Sequence, residues 1–141
     1  MLIRLATSDE DAVRCFPVMK ELRQHLDQAA FLARVKRQHA IARYQLAYVD
    51  ADAEVRSVAG FRVSEALAWG KFLYVDDLVT RKSDHGSGYG KALFEWLLGY
   101  ARANGCETFH LDSGVQRFGA HRFYLSRGMD ITSHHFAMKL K

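Results

Sequence analysis

The sequence predicts an α/β (α+β) fold in which a mixed, mostly antiparallel sheet carries helices on both faces. Three observations carry that expectation. Runs rich in β-formers recur at residues 44–49, 54–64 and 71–81, apolar residues recur at helical spacing in three other segments, and Lys71 to Asp112 reads as a strand, a glycine turn, a helix and a strand. The chain has 141 residues, of which 49% are apolar. That suits one domain over residues 1–141 with a proper core. A single proline and the absence of low-complexity runs argue against linkers.

Taken in order, Ile3-Arg4-Leu5-Ala6 reads as a short strand, and Thr7 with Glu10 fits a capping box opening a helix. Ala12, Phe16, Met19, Leu22 and Leu26 form one apolar stripe, with a kink or break expected at Pro17. A second helix is expected over Gln28 to Ala40. Tyr44 to Val49 and Glu54 to Ser64 pair as a hairpin around a polar turn, and Gly60 marks a bulge. Lys71 to Arg81 is the strand that enters the glycine turn. Tyr89, Leu93, Trp96, Leu97 and Tyr100 share a face of the following helix, which stops at Asn104-Gly105. Cys106 to Asp112 is the next strand, Arg117 to Arg127 a helix, and Met129 to Ser133 with His134 to Leu140 a closing pair of strands.

The formal net charge is +4, with Lys and Arg spread along the chain, so nucleic acid is not implied. No apolar run approaches the roughly 20 residues needed to cross a bilayer, and the N-terminus turns polar too soon for a signal peptide. Cys15 and Cys106 lie far apart in apolar surroundings, which suggests buried thiols in a reducing compartment. The expectation is a cytoplasmic protein with no membrane contact.

The chemistry concentrates at Asp84-His85-Gly86-Ser87-Gly88-Tyr89-Gly90-Lys91. Glycines let backbone approach a ligand, and a helix N-terminus offers free N–H groups and partial positive charge, a combination suited to phosphate. A Walker loop would need glycine where His85 stands and Ser or Thr where Ala92 stands. A dinucleotide fingerprint needs a different glycine spacing near the first strand.

The segment resembles the coenzyme A-binding motif of the GNAT superfamily of N-acetyltransferases: Arg or Gln, two residues, Gly, one residue, then Gly or Ala. His85 replaces the customary Arg or Gln, while Gly88 and Gly90 match. Ala120, Phe123, Tyr124 and Gly128 resemble the family's second signature, with Arg117 where Asn is frequent. The resemblance implies that acetyl-CoA is the cosubstrate, its pyrophosphate held by backbone N–H groups from Gly86, Ser87, Gly88, Tyr89 and Gly90 through Lys91. It also implies that the pantetheine arm pairs with the strand at Leu78, Val79 and Thr80, and that the Leu78 N–H meets the thioester carbonyl. Tyr124 would protonate the leaving thiolate.

The attacking amine must be neutral, and a lysine-like amine of pKa about 10.4 is neutral in under about 1% of molecules near pH 7. A general base is therefore useful. Asp76 occupies the position where some relatives carry a proposed catalytic glutamate, and it shares strand parity with Leu78 and Thr80, so it should face their side. Asp77 points the other way and is the second choice. Together with Asp112 these carboxylates could form an acidic site for a cationic amine. His134 and His135 face opposite sides of a strand, and no Cys/His cluster has metal-ligand spacing, so no metal is expected. The expected activity is direct acetyl transfer to a primary amine of a small molecule or a protein, the small molecule being favoured, and the resemblance implies a homodimer. The alternative is a non-catalytic acyl-CoA sensor.

Overall fold

The computed structural model describes all 141 residues, which fall into two compact units, Met1–His110 and Leu111–Lys141. The first unit contains β1 (Leu2–Leu5), α1 (Asp9–Leu22), α2 (Gln28–Ala42), β2 (Gln45–Ala51), β3 (Glu54–Ala66) and β4 (Gly70–Thr80). A turn of 3₁₀ helix at Lys82–Asp84 leads into α3 (Tyr89–Ala103) and then β5 (Thr108–Leu111), whose last residue opens the second unit. The strands form one mixed sheet in sequence order, with β1, β2, β3 and β4 paired antiparallel.

The cap of α1 lies one residue later than the sequence suggests. Ser8 Oγ accepts from the Asp11 N–H at 3.1 Å, and the Asp11 carboxylate accepts from the Thr7 N–H at 2.9 Å. That reciprocal arrangement replaces the expected Thr7–Glu10 box. Pro17 sits inside α1 without ending it. The helix buries Ala12, Cys15, Val18 and Met19, a continuous stripe packed on β3 and β4 on both sides of the proline. The β2–β3 connection is a two-residue turn in which Asp52 and Ala53 both take positive φ (54° and 62°), the twist that matches a hairpin.

The helices divide between the two faces of the sheet. Leu46, Tyr48, Val55 and Val58 meet α1 and α2 in one apolar cluster, which Val79 joins from β4. Residues of opposite parity face α3, where Phe61 lies edge-on to Trp96 and Tyr100 at 6.4 and 5.2 Å, and Leu93, Phe94 and Leu97 are fully buried. Gly105 takes the left-handed φ (73°) that ends the segment after α3, as the Asn104-Gly105 pair suggests.

In the second unit α4 (Phe118–Ser126) ends ahead of Gly128, which has φ 92°. The closing strands expected at Met129–Ser133 and His134–Leu140 are absent: these residues take no regular structure. Ile131, Phe136, Met138 and Leu140 are exposed there, so the apolar content that suggested strands has no sheet to join.

Two stability effects follow. Gly99 lies inside α3 with nothing within 4 Å of an added Cβ. Gly99→Ala is therefore expected to raise unfolding free energy by about 0.5–1 kcal/mol in chemical denaturation. Ser8→Ala should lower it by about 1 kcal/mol, whereas Thr7→Ala, which keeps the backbone bond to Asp11, should have a smaller effect.

Candidate functional site

The site begins with an irregularity in β4. Phe61 pairs with Val75 but Gly60 pairs with Asp77, so one step on β3 is matched by two on β4 and Asp76 is the extra, bulged residue. Gly60 thus stands opposite a bulge rather than forming one itself. The bulge changes which way the carboxylates point. Asp77 shares parity with Val79, which faces α1 and α2, while Asp76 follows Tyr74 and reaches Arg62, which shares parity with Gly60 on β3. Both carboxylates therefore project from the α1 side. This corrects the strand-parity expectation that Asp76 would face the side of Leu78 and Thr80 with Asp77 opposite.

Each carboxylate has its own arginine. Arg62 donates from Nε to Asp76 Oδ2 at 2.8 Å and from Nη2 to Oδ1 at 3.1 Å. This two-point bond raises the guanidinium pKa above its usual value. Arg23, the C-cap of α1, donates from Nε to Asp77 Oδ1 at 2.8 Å and from Nη2 to the Asp76 carbonyl at 3.0 Å. The second oxygen of Asp77 accepts from Tyr44 Oη at 2.6 Å. Burial first, and Asp77 second, push the Tyr44 phenol well above its ordinary pKa, so it remains a donor.

Beyond the bulge the free backbone edge can be located. The Arg81 N–H bonds to the Arg56 carbonyl on β3 at 2.8 Å. Because N–H direction alternates along a strand, Val79 also faces β3, while the N–H groups of Leu78 and Thr80 face away from it. On that side the chain of β5 starts level with Lys71, where the Glu107 N–H meets the Lys71 carbonyl at 2.7 Å. With only four residues at about 3.3 Å each, β5 does not extend as far as Leu78. An extended amide-bearing ligand could pair there.

The glycine turn follows directly. Gly86 and Gly88 have φ 84° and 86°, and a Cβ on either would meet nothing within 4 Å, so the turn is open to a ligand. Ala92 N–H is the first to bond back into α3, to Gly88 O at 3.0 Å. The N–H groups of Tyr89, Gly90 and Lys91 precede that ladder and are free for an anion. Gly90 is required for a different reason: its Cβ would lie 2.7 Å from Thr80 Oγ1. His85 turns back, its Nε2 3.0 Å from the Thr80 carbonyl, and Ser87 N–H bonds Asp84 O at 3.1 Å. Buried Asp84 receives Arg56 at 3.2 Å and Arg81 at 2.8 Å, and Arg81, with Arg56 also nearby, holds the Asp84 carboxyl below its usual pKa. Open glycines, unbonded N–H groups and nearby Arg81, Lys82 and Lys91 fit a pyrophosphate.

In the second unit Tyr124 is half-buried on α4, and burial raises its phenol pKa against the opposing effect of Arg117. Asp112 is bonded to His135 Nδ1 at 2.6 Å. His110, in the first unit, stacks on Trp69 at 3.7 Å, and burial lowers its pKa. Cys15 is fully buried and pushed up to about 12, which makes it inert as a nucleophile, whereas Cys106 is only half-buried. No group of three His, Cys, Asp or Glu residues is arranged to hold a metal ion.

Sequence reading missed Arg23, Tyr44, Arg62 and Arg56, and took in Asp84 only as the first residue of the glycine stretch. Only Gly60 gave a local signal; the others acquire their roles through pairings that span up to 54 positions.

A family model described as acetyltransferase (GNAT) family matches residues 7–129. The uncharacterized N-acetyltransferase YhdJ of Bacillus subtilis (strain 168) is 34% identical over 131 residues, covering 92% of each chain. A transcriptional regulator from Bacillus halodurans C-125 shares the fold at TM-score 0.86 and 19% identity, over 99% of both chains. Aminoglycoside N-acetyltransferase AAC(6')-Iy, solved in complex with CoA, does so at TM-score 0.83 and 14% identity, over 98% of this chain and 93% of that one.

The turn geometry sets an expected ranking. An alanine at Gly88 would relax away from positive φ, and ligand binding would have to restore about 1–2 kcal/mol of strain. Gly88→Ala should therefore weaken coenzyme A binding by about 5- to 30-fold in calorimetric titration. His85→Ala, which removes only a contact to the Thr80 carbonyl, should change it by less than about threefold.

Proposed function

Because the chain belongs to the acetyltransferase (GNAT) family and is an acetyl-CoA-dependent N-acetyltransferase, we propose that it transfers acetyl directly to a primary amine on a small molecule. The observation that carries this reading is the glycine turn at Gly86 to Lys91 following the outward N–H edge of Leu78 and Thr80. The turn suits the pyrophosphate and the edge suits the amides of the pantetheine arm, with Val79 between them bonded to β3. The Leu78 N–H then polarises the thioester carbonyl as negative charge develops on its oxygen.

The amine nitrogen forms a bond to the carbonyl carbon as the carbon–sulfur bond breaks. Asp76 takes the amine proton, directly or through one water; its oxygens accept from Arg62 yet keep lone pairs for this. Tyr124 gives its phenolic proton to the sulfur, releasing the free thiol, and solvent reprotonates it. The raised pKa keeps Tyr124 in its acid form.

Arg23 and Arg62 balance the charges of Asp76 and Asp77, which supports a monoamine over a polycation. The free thiols of Cys15 and Cys106 support a cytoplasmic setting. Family resemblance supports a homodimer. No helix is long and apolar enough to cross a membrane.

Thiol release from acetyl-CoA across a panel of amines tests the reading. Tyr124→Phe and Asp76→Asn should each lower kcat by about 10²-fold or more while acetyl-CoA still binds. Tight binding with no turnover on any amine or peptide would instead identify an acyl-CoA sensor. With Tyr124 as the acid, kcat should show no alkaline loss assignable to this group until the pH passes 10, because its pKa lies above the ordinary phenol value.

A further inference from the structure

Four residues outside the expected site converge on the bulge of β4. Arg23 bonds both the Asp76 carbonyl and the Asp77 carboxylate, and Tyr44 Oη closes the other side of Asp77. Arg62 takes both oxygens of the Asp76 side chain. Gly60 makes the approach possible: a Cβ there would stand 1.7 Å from Tyr44 Oη and 2.7 Å from Asp77 Oδ2. Tyr44 is only 2% exposed, so a partner for its hydroxyl is a requirement of folding and Asp77 supplies it. Arg23 caps the end of α1, Tyr44 immediately precedes β2, and Gly60 and Arg62 lie in β3, so three parts of the chain fix two adjacent residues.

A bulge reorients the strand that follows it. Leu78 is the first residue after the clamped pair, and its N–H faces away from β3. We propose that Arg23, Tyr44 and Asp77 are positioning residues that fix the β4 bulge and so aim the Leu78 N–H at the thioester carbonyl. This rests on the transferase reading above. It gives Asp77 a different task from Asp76: its oxygens are committed to Arg23 and Tyr44, and it acts through the backbone.

The fork of Arg23 reaches two acceptors on neighbouring residues, which a single ammonium does not reproduce. Arg23→Lys is therefore expected not to rescue the loss seen in Arg23→Gln. Tyr44→Phe, which deletes one oxygen, guards against a variant that merely fails to fold.

Two measurements test the proposal on the full chain. In steady-state kinetics Arg23→Gln and Tyr44→Phe should each lower kcat by about 10- to 100-fold with KM for acetyl-CoA within about twofold. The double variant should be little worse than either single one, since both act on one carboxylate. In amide NMR the wild-type Leu78 signal should differ between the acetyl-CoA and coenzyme A complexes. That difference should vanish in both variants, while the Gly88 and Gly90 signals respond to either ligand as in wild type. Retained kcat, a retained Leu78 difference in the variants, or no such difference in wild type would overturn the proposal. If wild type binds acetyl-CoA but acetylates nothing, the transferase reading fails and the Leu78 signal still decides this one.

Discussion

Inserting Asp76 into β4 without a counterpart on β3 is the constraint on which the rest of the site depends. A regular ladder from Gly70 to Thr80 would put Asp76 and Asp77 on opposite faces. The extra residue turns both carboxylates toward α1. Beyond it, where the four residues of β5 have ended, the outer N–H groups of Leu78 and Thr80 face no strand. The molecule tolerates the irregularity because the Asp76 carbonyl is bonded by Arg23, in keeping with the cost of leaving a main-chain acceptor unpaired away from water.

Charge follows the same logic. A pair of adjacent half-buried carboxylates on the α1 side of the sheet would repel one another, and two guanidinium groups remove that penalty with directed bonds. Asp84 repeats the pattern with the roles reversed, one buried carboxylate gathering Arg56 and Arg81 at the base of the glycine turn. In both places an ion pair holds a non-repetitive stretch of backbone in one conformation. The ordering is thus done during folding and need not be repeated when ligand arrives.

What the sequence made legible is what local chemistry dictates. The helices, the hairpin and the glycine turn follow from periodicity and turn residues, and the observed elements fall within a few residues of the expected ones. Gly86, Gly88 and Gly90 announce a backbone that must stay open or take positive φ. Parity failed at Asp76 because a single inserted residue reverses it, and no property of Asp76-Asp77 reveals an insertion. Tyr44 and Arg62 appear in the sequence only as members of strands, and Arg23 carries no local signal, because the partners of all three are distant in sequence. The closing strands failed for a related reason: the apolar content of Met129 to Leu140 describes a capacity to pair, and pairing needs a neighbour.

The glycine turn itself has a consequence for turnover. The features it presents, free N–H groups at the head of α3 and open glycine backbone, suit a diphosphate, and in an acyl-CoA that group is chemically identical before and after acyl transfer. Whatever grip it provides therefore lowers substrate and product to the same extent and contributes nothing to the barrier between them. Discrimination between the acylated and free thiol forms falls to contacts near the sulfur. A cradle that holds tightly prolongs the residence of spent cofactor as much as it favours capture of fresh cofactor, so its strength trades occupancy against release.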